Sequence, residues 1–339
     1  MPQDTTIILP TADSNYISQQ FIDSLSNTIQ NTSTGYGKTD FQKESESYSQ
    51  WALPGSFFLL LGLWVIIKKT GKNDHTYVEI GTGAGDHAAA QTYTVIQDYL
   101  RYDGNNLNFS DDLLTNVLVK HYPYFTELSQ QNQGKFLYRL KKFIDTKIFL
   151  IHDTSGFKEM PILISAAAIQ LSFCLEKYML PNFTFIHIYP QDFLGTFPTI
   201  RFLEGNVSGR SINISWKHFL LGFQFPSNGD NVGLHEMAHA YYFQNFECSQ
   251  YIDSNFVNAF PGFNNCGSKV FERERQPGIY FYSEYALKNF QEFWAESIEI
   301  FFEKPMQMKT VYPDLYKAIS TLLNQDPNSP GVEINALTD

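Results

Sequence analysis

The chain runs to 339 residues, 43% of them hydrophobic and 16% aromatic, enough for a substantial core in one large domain or two modest ones. Its 24 basic and 35 acidic residues give a net charge of −11 with no Lys/Arg block, which argues against a nucleic-acid surface. Three cysteines, Cys174, Cys248 and Cys266, are an odd number at no metal-ligand spacing, the usage of a reduced protein rather than a disulfide framework.

Residues 1–50 are rich in Ser, Thr, Gln, Asn and Asp and lack sustained periodicity. They begin Met-Pro-Gln-Asp, without the cationic start of a signal peptide, and read as a disordered polar arm. Trp51 to Ile67 follows as 17 residues without a charge and ends at Lys68-Lys69. That length is just sufficient for a single transmembrane helix. Trp51 and Trp64 would sit toward the two interfaces, and the lysines would keep the downstream domain on the cytoplasmic side. The alternative is a buried core helix in a soluble cytoplasmic protein.

The stretch Tyr77-Val78-Glu79-Ile80-Gly81-Thr82-Gly83-Ala84-Gly85 imitates the strand and glycine loop of a nucleotide or methyl-donor site. Such a loop needs a second strand ending in an acid about twenty residues on, to hold a ribose. No such strand follows, so a flexible turn is expected, within a domain taken to span 75–339.

From about residue 111 the pattern is mainly helical. Phe136, Leu137, Leu140, Phe143 and Ile144 fall at helical spacing, and Ile162 to Leu175 forms a second apolar helix around Ala166-Ala167-Ala168. Cys174 lies in that run as a small core residue. Phe183 to Tyr189 and Ser211 to Trp216 read as strands, the second alternating polar and apolar like a half-exposed one.

The most chemically informative stretch is His235-Glu236-Met237-Ala238-His239. On a helix, histidines four apart share a face and can hold one metal ion, with the intervening glutamate as base. Asn228, Asp230 or Asn231 can cap that helix. A catalytic zinc usually takes three protein ligands and keeps a fourth position for water. The third is sought on Asn289 to Phe302, a helix closed by Pro305, where Glu292, Glu296 and Glu299 recur on one face between bulky apolar residues. Spacing alone does not choose among the three.

The chain from about Tyr122 to Pro327 resembles the glucose-regulated zinc metallopeptidase family of Mlc titration factor A. The resemblance rests on Tyr122-Pro123-Tyr124-Phe125, Leu128-Ser129, Ile188-Tyr189-Pro190, Ser215-Trp216, Asn231 to His239, Glu292-Phe293-Trp294-Ala295 with Ser297 and Glu299, and Leu323 to Pro327. It implies an α+β, zincin-like domain, mainly helical with a small mixed sheet. It also implies a gluzincin peptidase with Zn2+ held by His235, His239 and Glu292, and Glu236 as general base. By similarity to the anthrax lethal factor catalytic domain as well, Tyr285 would stabilise the oxyanion. Glu299 matches a position that supports the ligands from behind, and Glu296 matches lethal factor alone. In such folds an edge strand before the metal helix receives the substrate backbone, here expected at Ile212, Asn213, Ile214 and Ser215. The implied partner is a peptide or protein substrate. Because the family's namesake binds a transcriptional repressor and is a modest aminopeptidase, a second reading is a binding protein that sequesters a regulator.

Overall fold

The computed structural model describes residues 62–69, 75–83, 91–96, 99–153, 156, 158–195 and 201–333. The chain divides into two compact units, Met1–Asp98 and Tyr99–Asp339. In the first, strands β1 (Gly62–Lys69), β2 (His75–Gly83) and β3 (Gln91–Ile96) form an antiparallel sheet in that order.

This sheet corrects two expectations. Residues 62–69 are a strand and not part of a transmembrane helix, and no helix among the described residues is long and apolar enough to cross a membrane. The expected anchor over 51–67, and the single-pass placement built on it, do not fit a segment whose residues 62–69 form a strand. The physical reason lies in Val65-Ile66-Ile67, whose β-branched side chains favour a pleated strand over a helix. Gly81 and Gly83 belong to β2, paired with Trp64 and Gly62, rather than to a turn. β2 is antiparallel to both neighbours, whereas a βαβ cofactor unit is parallel. β2 and β3 pair within the first unit, and the larger unit runs from Tyr99. Residues 1–50, 51–61 and 84–85 lie outside the described residues.

The second unit is α+β. Its five-stranded mixed sheet has the order β4 (Leu100–Asp103), β5 (Ile148–Ile151), β6 (Phe185–Tyr189), β10 (Ser211–Ser215), β9 (Gly205–Ser208). β5, β6 and β10 run parallel, and β4 and β9 close the two edges antiparallel. A small hairpin, β7 (Phe193–Gly195) with β8 (Arg201–Leu203), precedes β9.

Helices α1 (Asp111–His121), α2 (Gln130–Asp145) and α3 (Glu159–Ser172) pack together, with α3 crossing between the parallel strands β5 and β6. Nearly all of α3 is buried, because it is apolar around its whole circumference and its alanines let neighbours approach closely. Next come α4 (Trp216–Gln224), α5 (Val232–Phe246), α6 (Ser254–Glu274), α7 (Phe290–Glu303) and α8 (Pro313–Leu323). Phe256, Phe260 and Phe263 of α6 set their rings 6.0, 5.6 and 5.0 Å from that of Trp294 on α7. The Trp294 indole Nε1 donates to the Ala238 carbonyl on α5 at 3.0 Å. A buried indole needs such a partner, and this one locks the facing helices α5 and α7 at a fixed height.

Candidate metal centre

Both helices that build the site start on asparagine caps. Asn231 Oδ1 accepts from the Leu234 N–H at 3.0 Å, opening α5. Asn289 Oδ1 accepts from the N–H groups of Gln291 and Glu292 at 2.9 and 3.0 Å, opening α7. α7 stops at Glu303, and Pro305 begins the next short helix.

These starts bring His235, His239 and Glu292 together, one ligand atom from each lying within 4.8 Å of the others. His235 Nε2 stands 3.0 Å from Glu292 Oε2 and 3.2 Å from His239 Nε2, and His239 Nε2 stands 3.3 Å from the same carboxylate oxygen. Ligands about 2.0–2.1 Å from a tetrahedral zinc stand roughly 3.3 Å apart, so the triangle has the right size for a small divalent ion. Burial works against the charge on Glu292, but the two imidazoles outweigh it and hold its carboxyl far below the usual range.

Behind the ligands, His235 Nδ1 stands 2.7 Å from Glu299 Oε1. A carboxylate only accepts, so a proton sits on Nδ1; burial opposes a second proton, but Glu299 and Glu292 outweigh it and raise the ring's pKa, so a metal bound at Nε2 would take the place of a proton. Glu299 is itself buried and accepts the Asn231 backbone N–H with its other oxygen. Glu303 takes the Asn231 side-chain amide at 2.9 Å and the Gly229 N–H at 2.9 Å. One face of α7 therefore holds the N-terminus of α5, its cap and its first ligand.

Glu236 is buried beside the ligands, and its Oε2 finds no hydrogen-bond partner among the described residues. Burial, reinforced by the charges of Glu292 and Glu299 and opposed by His235, pushes its carboxyl up to about 8. An orphaned buried carboxylate oxygen is costly unless something absent from the protein chain completes it. That fits a water held at a metal between the three ligands.

Tyr285 is partly exposed, its ring 6.2 Å from that of His235 and Lys288 Nζ 4.4 Å above it. Burial and the charge of Glu292 push its phenol up to about 12, so at neutral pH it is a hydrogen-bond donor. Glu296 points away from the ligands. It accepts the Ser283 N–H at 2.7 Å and the Ser283 hydroxyl, while Ser283 Oγ accepts the Ala286 N–H at 3.1 Å. Its part is to fasten the turn that carries Tyr285.

The strand expected at the sheet edge is placed otherwise. Ile212, Asn213, Ile214 and Ser215 form β10, buried and paired on both sides, with β6 and with β9. Their polar–apolar alternation looks half-exposed in the sequence, but Asn213 and Ser215 are buried as well as Ile212 and Ile214, so both faces are covered, and β9 pairs with the remaining edge. The edge is β9, and Asn213 braces it by donating to the Asn206 side-chain oxygen at 2.7 Å. The sequence reading missed Gly205. A Cβ there would lie 2.4 Å from Glu236 Oε1, so glycine leaves room for that carboxylate. A lone glycine in a segment poor in strand formers gives no sign of that approach in the sequence.

The family described as glucose-regulated metallo-peptidase M90 matches residues 105–323, well over half of the chain, and the protein belongs to it. No curated protein matches the chain. A metallopeptidase family and a His-His-Glu cluster together point to a metal ion at this site.

Proposed function

We propose that this member of the glucose-regulated metallopeptidase family is a zinc peptidase that hydrolyses extended peptides, with His235, His239 and Glu292 as ligands. The observation that carries the proposal is the ligand triangle with the unpartnered Glu236 carboxylate oxygen beside it. A protein that only sequestered a partner would have no use for a buried base. Two imidazoles and one carboxylate suit zinc by donor type, and a divalent ion there supplies Lewis acidity to a water and to the scissile carbonyl.

The remaining chemistry belongs to side chains. Glu236 takes the proton of the attacking water and passes it to the departing amine nitrogen. The Tyr285 hydroxyl donates a hydrogen bond to the carbonyl oxygen as negative charge builds there. Glu299 keeps His235 in the Nδ1–H tautomer, and Glu296 holds the Tyr285 turn. The substrate backbone pairs with the open edge of β9, at the point where Gly205 meets Glu236.

The test is cleavage of a proteome-derived peptide mixture together with zinc content. Glu236→Gln should retain zinc and lose hydrolysis by about a thousandfold, the loss of a proton-transfer group. Glu292→Ala should lose zinc and activity together. Turnover of Glu236→Gln near the wild-type rate, or full zinc occupancy of Glu292→Ala, sinks the assignment.

A further inference from the structure

Three residues outside the metal centre form a charged cluster next to the sheet edge. His218, on α4, is largely buried between two carboxylates: Nε2 stands 2.6 Å from Asp192 Oδ1, and Nδ1 stands 3.2 Å from Glu204 Oε2. Carboxylates only accept, so both ring nitrogens donate and the ring is an imidazolium. Burial disfavours that charge, but Glu204 and Asp192 outweigh it and the pKa is raised.

The positions of the two acids matter more than their number. Asp192 immediately precedes β7 and Glu204 immediately follows β8, and the first pair of that hairpin is Phe193 with Leu203. The acids therefore flank the open end of the hairpin, where two negative charges would push apart without a cation between them. Glu204 is also the last residue before β9. Its carbonyl accepts the Ser215 N–H at 2.7 Å, and the next residue is Gly205, against which Glu236 rests. The chain of contact runs from α4 through one imidazolium to the start of the edge strand, and from there to the base.

We infer that His218 is a positioning residue for substrate binding: bridging Asp192 and Glu204, it fixes the start of β9 at the height of Glu236, so that an extended peptide meets the edge in register with the base. The inference rests on the peptidase reading above for its kinetic consequence, but not for its structural one. His218 pairs with Asp192 and Glu204 and not with the ligand cluster, so its replacement acts through β9 on binding rather than on proton transfer.

The experiment uses the full chain loaded with zinc and compares wild type with His218→Gln, Glu204→Gln and the double variant. One measurement is KM and kcat on an internally quenched octapeptide that the wild type cuts. The other is hydrogen exchange of the amides from 204 to 208. His218→Gln should raise KM about tenfold with kcat within about twofold, the size of one lost charged hydrogen bond, and should keep its zinc. Exchange across 204–208 should accelerate by about the same factor. The double variant should be no worse than His218→Gln, since both remove the same bridge. Unchanged KM and unchanged exchange in His218→Gln overturn the inference, as does a loss confined to kcat. If the wild type cuts no peptide, the peptidase reading fails while the exchange measurement still decides the bridge. If His218→Gln does not fold, Glu204→Gln, at an exposed position, gives the same two readouts.

Discussion

At the residue scale, the site is a division of labour among carboxylates that look alike in the sequence. Glu236, Glu292, Glu296, Glu299 and Glu303 differ only in what faces them: Gly205, two imidazoles, a serine, a histidine with a backbone amide, and an asparagine cap. His218 shows the same principle with the sign reversed, and it makes a pH prediction. Its folded pKa is raised above the ordinary 6.5, so its ion pairs stabilise fully below that value and are lost as pH rises through the folded pKa. The charged groups facing it are Glu204 and Asp192. The gap in Tm between wild type and His218→Gln should therefore be widest below the ordinary histidine pKa and should narrow as pH rises through the raised one, as followed by thermal unfolding. A gap that widens with pH would contradict the imidazolium. Of these residues, His235, Glu236 and His239 were legible in the sequence because helical spacing alone puts both rings on one face. Helical spacing left Glu292, Glu296 and Glu299 equivalent, and only the family resemblance singled out Glu292; in the fold Glu292 faces both imidazoles, Glu299 backs His235 and Glu296 binds Ser283.

At the element scale, α7 does more than supply a ligand. It grips the start of α5 through Glu299 and Glu303, the middle of α5 through Trp294, and the Tyr285 turn through Glu296. Glu296→Ala should free that turn while leaving the proposed metal ligands in place. The expected result is a fall in kcat of about tenfold to a hundredfold with zinc content unchanged, measured on the same peptide. Loss of zinc would show that Glu296 supports the ligands instead. Long periodic helices such as α3 and α7 could be read directly, since burial follows from their apolar circumference. β9 could not: Gly-Asn-Val-Ser is short and poor in strand formers, and only pairing with β10 makes it a strand. That is also why β10 was mistaken for the edge.

At the scale of the whole molecule, the division at 98/99 separates a three-stranded sheet from the unit that contains every residue of the proposed site. Apolar content could not distinguish a membrane helix from strand β1, because Trp51 to Ile67 is barely long enough to span and its last residues are β-branched. The second unit has its own core, from the buried α3 to the aromatic layer between α6 and α7. Residues 99–339 expressed alone should unfold in a single cooperative transition and bind zinc with the stoichiometry of the full chain, as read by calorimetry and metal analysis. A fragment that binds no zinc, or lacks a cooperative transition, would show that the first unit completes the fold.

The open flank of β9 carries a risk that reaches beyond one molecule. An unpaired strand edge does not distinguish a substrate from the same edge on another copy, and exposed edges of this kind seed aggregation. Here the edge is four residues, Gly205-Asn206-Val207-Ser208, with a single apolar side chain. That brevity makes self-pairing weak. It also makes backbone pairing alone too weak to hold the proposed peptide substrate, so under that proposal selectivity would come from the side chains that surround the edge.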